Sequence, residues 1–150
     1  MKLILLIFLF SNFAYSSDLN ITIEVDGSNL PSGEGDILEG KKLFSKNCSF
    51  CHGHFGQGLI APELVSETNN LKGKNISKTV GNFWPYAPKI FDFIRRAKRD
   101  SNGDYFDNNQ VYSLAGYLLK LNKIKIEMAV NKKVLSNIIM PNRDGFISSY

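Results

Sequence analysis

Five residues, Cys48-Ser49-Phe50-Cys51-His52, hold both cysteines of this 150-residue chain and one of its two histidines. Any fold the chain adopts must satisfy them. Two thiols and an imidazole at this spacing fit a zinc site, a redox disulfide, a covalently held haem, or a chance cluster. The choice turns on the compartment and on the other ligands the chain can supply.

The first sixteen residues, MKLILLIFLFSNFAYS, address the compartment. Lys2 forms a short positive start, residues 3–10 are an unbroken apolar run, and Ala14 and Ser16 place small residues before a cleavage point. This is the pattern of a secretory signal peptide, so the mature chain is expected to begin near Ser17 and to be periplasmic. The run is too short for a membrane span, which needs about 20 apolar residues, and no later segment is apolar enough to cross a bilayer. In an oxidising compartment Cys48 and Cys51 must be bridged, modified or bound. Losing Lys2 lowers the formal charge from +4 to +3, too weak and scattered to indicate nucleic acid.

Against that background the readings separate. A zinc site needs four ligands, and only His54, crowded beside His52, could add to the set. A redox disulfide usually sits at a helix start after a strand, whereas here a helix is expected before the motif. Cys-x-x-Cys-His is the attachment pattern for haem c. The two thiols add across the two vinyl groups, and the next side chain, His52, turns under the iron as its proximal ligand.

The remaining chain reads as one mostly helical domain. Residues 17–35 form an arm, with Ile21, Ile23 and Val25 alternating as in a short strand, followed by turn residues. Asp36 is placed to cap a helix over 37–46, in which Ile37, Gly40 and Phe44 share a face. Gly40 inside a helix costs about 1 kcal/mol relative to Ala, which calls for close approach of a second helix. Residues 53–81 read as loop. Helices are expected over 87–98, with Ile90, Phe91, Ile94 and Ala97 as the apolar stripe, and over 109–121, with Val111, Leu114, Ala115, Leu118 and Leu119 inward and Tyr117 at the flank. The domain is thus 36–150, after a signal (1–16) and the arm (17–35).

Gly40, Phe44 and Cys48, each one turn from the next, resemble the N-terminal helix of class I cytochromes c. LAGYLLKLN (114–122) resembles their C-terminal helix, whose aromatic, here Tyr117, crosses the first helix at its glycine. GQGLIAPEL (56–64) resembles the loop after the haem motif. That resemblance implies an all-α class I cytochrome c fold in which the backbone carbonyl of Pro62 receives the proton on the non-ligating nitrogen of His52.

The sixth ligand is less determined. His54 cannot reach the other face of the haem. Met128 lies in a lysine-rich linker, whereas Met140 is followed by a stiffening proline at the edge of an apolar patch, which favours Met140. Trp84 and Tyr86 carry donors suited to a haem propionate, and Arg95 and Arg96 could pair with propionates or face a partner.

TVGNFWPYAPKIFDFIRRA (79–97), MPNRDGFI (140–147) and the arm at 21–40 resemble, in that order across nearly all of the mature chain, the cytochrome c subunit of bacterial sulfite and sulfur dehydrogenases. The resemblance implies an exported monohaem carrier. It would take electrons from a molybdenum sulfite-oxidase-type dehydrogenase and pass them to another cytochrome or a terminal oxidase, binding no molybdenum itself. In that family RRA is followed by Met-Pro; here Lys98 and Arg99 stand instead. Lys98 as a neutral amine, or an open position, is therefore the alternative to Met140. An open position would suit a catalytic haem acting on a sulfur compound or peroxide, or a gas sensor.

Overall fold

The computed structural model describes residues 21–66, 71 and 76–146. The expected signal peptide, the start of the arm and the end of the tail lie outside the described residues. The elements run β1 (Glu34–Asp36), α1 (Ile37–Asn47), α2 (Ser49–His52), α3 (Ala87–Ala97), α4 (Asn108–Leu121), β2 (Ala129–Asn131) and α5 (Lys132–Ser136).

Helix α1 begins where Asp36 accepts the backbone N–H groups of Leu38 and Glu39, at 2.7 and 3.1 Å. It carries Glu39 in its first turn and Lys46 in its last, as the helix dipole favours. Its buried face is Ile37, Gly40 and Phe44, and that face lies against α4. A β-carbon on Gly40 would fall 1.9 Å from the carbonyl oxygen of Ser113 and 2.9 Å from Cβ of Tyr117. The two backbones touch there, and one turn on the Phe44 and Tyr117 rings meet at 5.5 Å.

Helix α4 opens on a capping box, in which Asp107 accepts from Gln110 N and the Gln110 side chain accepts from Asp107 N. The spacing of its apolar residues suggests a single inward stripe. Instead residues 111–119 are buried without a break. The cause is a third layer, since α1 covers one side, α3 a second, and the chain after α4 returns to place Val130 against Gly116. Helix α3 packs through Ile90, Phe91 and Ile94, with the Phe91 ring tilted against Tyr112 at 4.5 Å. It ends at Ala97, and Lys98 is already extended.

The expectation of strand in the arm is corrected in position. Residues 21–25 join no ladder, although Ile23 is fully buried between exposed Ile21 and Val25. Their carbonyls are taken by side chains instead: Lys89 donates to Ile23 O, and Arg95 and Arg96 both donate to Ile21 O. The strand pairing falls later, where β1 and β2 form an antiparallel pair matching Gly35 to Val130. This small sheet ties the arm to the C-terminal extension and leaves the domain otherwise helical.

Candidate functional site

The motif sits on a tight pair of turns. Cys48 ends α1, its N–H bonded to Phe44 O at 2.9 Å, and its own carbonyl accepts from Cys51 N and His52 N to open the single turn of α2. Both thiols thus belong to one helical turn, which aims residues three apart at one side. Gly53 then takes a positive φ of 80° and reverses the chain.

The loop that follows folds back under His52. Gly58 N donates to His52 O at 2.7 Å and Ala61 N to Cys51 O at 2.9 Å. These bonds carry the next carbonyl to the imidazole, where Pro62 O lies 2.8 Å from Nδ1 of His52. The contact requires a proton on Nδ1, because a carbonyl only accepts. That leaves the Nε2 lone pair free and raises its basicity as a ligand. The loop is in turn anchored to the end of α4. Leu64 O accepts from Asn122 Nδ2 at 3.2 Å, and Asn122 Oδ1 accepts from Gly81 N at 3.1 Å.

Burial pushes the Cys48 thiol up to about 11, against the pull of the positive charge on Lys98 and with a smaller push from Cys51. Among the described residues, no group of three or more His, Cys, Asp or Glu is arranged to hold a metal ion directly, so a zinc reading lacks its ligand set. Two thiols on one turn followed by an imidazole with a free Nε2 fit an iron porphyrin.

The residues expected around it divide. Half-buried Trp84 stands edge-on to Phe93 at 5.6 Å, and Lys98 Nζ lies 5.2 Å over the same Phe93 ring. Tyr86 carries the guanidinium of Arg143 at 5.2 Å. Met140 is sealed in the core at 1% exposure, in a turn held by Asn142 Nδ2 on Phe83 O at 2.7 Å. Met128 is exposed, with its sulfur 3.8 Å from Lys120 Nζ. Arg95 is buried, with its guanidinium on Asp92 at 3.0 Å and on the carbonyl of Ile21. Arg96 shares both partners. These arginines clamp the arm. Phe93 and Asn122 went unnoticed in the sequence, since a single phenylalanine or asparagine in a helix carries no signal of its own.

The family model for cytochrome c matches residues 37–122, more than half of the chain. The chain belongs to the cytochrome c family. This cytochrome therefore carries covalent haem c, transfers electrons, and has the expected class I fold with the small sheet added. Its structure is also similar to a chain of the sulfane dehydrogenase SoxCD from Paracoccus pantotrophus, at 28% identity and a TM-score of 0.78. The match covers 85% of this cytochrome and 64% of that chain, so this cytochrome spans less than two thirds of the matched length. Among the described residues no helix is long and apolar enough to cross a membrane.

Proposed function

We propose that this cytochrome is the exported, monohaem electron-transfer partner of a molybdenum dehydrogenase that oxidises sulfite or a related sulfur compound. Electrons then pass to a further cytochrome or a terminal oxidase. The observation that carries the reading is the reach of the SoxCD likeness. It covers 85% of the chain, more than the haem-binding span of 37–122, and so includes parts of the arm or the C-terminal extension. A carrier needs neither to hold one haem, and a surface for a fixed partner is a reason to keep them.

The haem, when bound, supplies one-electron exchange at its iron. Cys48 and Cys51 hold it by thioether bonds, and His52 binds through Nε2. The Pro62 carbonyl holds the proton on Nδ1, which fixes the ring's tautomer and orientation. The rim beside the motif is open and apolar: Phe50, Phe55, Leu59 and Ile60 are each more than two-thirds exposed. A partner seated there meets the edge of the cofactor with water pushed aside.

Mixing the ferric holoprotein with sulfite and a molybdenum sulfite dehydrogenase from the same organism tests the assignment. Stopped-flow absorbance should show reduction that requires both. If that pair leaves the haem oxidised while a small-molecule reductant reduces it at once, the partner is wrong.

A further inference from the structure

Accepting the carrier reading, the other face of the iron needs a donor, and the span matched to the family holds none of the usual ones. The three methionines are Met1, Met128 and Met140, all outside residues 37–122. The span's histidines are His52 and His54 and its cysteines are Cys48 and Cys51. His54 is held two residues from the proximal ligand, on the exposed outer side of the turn. A strong donor from within the span is therefore a lysine.

The lysine that follows α3 is brought to the motif. Lys98 is the first residue beyond α3, with extended backbone at φ −113° and ψ 143°. The segment it starts is pinned back to the haem-binding turn, because Ser101 N donates to Asn47 Oδ1 at 2.9 Å and Asn47 directly precedes Cys48. The Lys98 charge is felt at the Cys48 thiol. Its Nζ lies over Phe93, which with Trp84 makes an aromatic wall. Phe93 is 46% exposed, a large apolar area for a helix that is otherwise well packed. The His52 side of the turn is already filled by the loop that delivers Pro62. Among the described lysines of the span, Lys42 pairs with Glu39, Lys78 lies over Phe83, Lys89 holds Ile23 O and Lys120 contacts Met128, while Lys41 and Lys46 stand exposed on α1.

Met140 is placed differently. Its side chain is sealed in the core at 1% exposure, and its turn is fastened to Phe83. We propose that Lys98, rather than Met140, supplies the sixth ligand of the haem iron as a neutral primary amine. Binding releases the ammonium proton to solvent, as metal ligation by a protonated group must. A nitrogen donor stabilises ferric iron more than a thioether does, so the potential falls below that of a His/Met cytochrome.

The test uses the holoprotein, with covalent haem first verified by its pyridine haemochrome spectrum. Loss of covalent haem in the wild type would defeat the carrier reading itself, not the ligand assignment. The ferric wild type should be low-spin by electron paramagnetic resonance and lack the near-infrared thioether-to-iron charge-transfer band. Lys98→Met should gain that band and shift the midpoint potential upward. Lys98→Arg keeps the charge and length but offers no lone pair at any accessible pH, so it should turn high-spin and bind added cyanide at once. Met140→Leu should leave spectrum and potential as they were. A thioether band in the wild type, a high-spin wild type, or an unchanged spectrum in Lys98→Arg each overturns the assignment.

Discussion

Arg95 is the residue whose role depends most on its surroundings. An arginine near the end of a helix in a haem protein suggests a propionate partner, yet its guanidinium is 3.0 Å from Asp92 with the Arg95 side chain 4% exposed. Truncating Arg95 removes a buried charge-assisted hydrogen bond, which costs about 1.5–3 kcal/mol with Asp92 still held by Arg96. Arg95→Ala should therefore lower the denaturant midpoint of the holoprotein by that order and leave the haem midpoint potential unmoved. A large shift in potential with little change in stability would restore the propionate role. Gly40 makes the opposite kind of case. Ala would gain about 1 kcal/mol of helix propensity, but its β-carbon would sit 1.9 Å from a backbone oxygen that cannot swing aside. Overpacking of this kind costs about 1–3 kcal/mol, and with two backbones jammed the sum should be a net loss in Gly40→Ala, read by the same unfolding measurement. Gly40 was legible in the sequence because a glycine inside an amphipathic helix asks for one specific explanation. Arg95 was not, because an arginine's partners depend on which segment, here the arm, happens to arrive beside it.

At the scale of elements, the end of α4 and the loop under the imidazole behave as one unit. Asn122 donates to Leu64 O and Leu118 O and accepts from Gly81 N. A single side chain thereby closes the helix and fixes the loop that presents Pro62. Asn122→Ala leaves these groups without that partner, at about 1–3 kcal/mol for each one that stays buried and unsatisfied. We expect a loss of stability together with a change at the haem. With the Pro62 carbonyl less firmly held, His52 becomes a weaker donor and the midpoint potential should rise. Potentiometry beside chemical unfolding separates this from plain destabilisation, which would leave the potential in place. The helices themselves were legible, because caps and 3.6-residue periodicity are local. The β1–β2 pair was not, since strands of three residues have too few positions for alternation, and their pairing joins the arm to a segment beyond α4. The same extension buries Gly116 and turns the expected single stripe of α4 into burial on every side.

For the whole molecule, charge and apolar surface are separated. Residues 48–62, CSFCHGHFGQGLIAP, contain no Asp, Glu, Lys or Arg, and four of their large apolar side chains stand in solvent. The basic residues that give the chain its net charge of +4 lie elsewhere. Electron transfer needs the partner close to the cofactor edge, so the rim beside the motif should be the contact surface and the association should be governed by desolvation. Full burial of one such side chain contributes about 1.5–3 kcal/mol, and 1.4 kcal/mol is a factor of ten in an equilibrium. Ile60→Glu would remove one contact and force a carboxylate into a dry interface. Its second-order rate of reduction by the dehydrogenase should fall at least about tenfold, with the optical spectrum and midpoint potential unchanged because Ile60 ligates nothing. The wild-type rate should vary little between low and moderate salt, since the rim carries no charge for ions to screen. A steep fall in rate with salt, together with a normal rate for Ile60→Glu, would instead put the docking surface on the lysine-bearing face of α1.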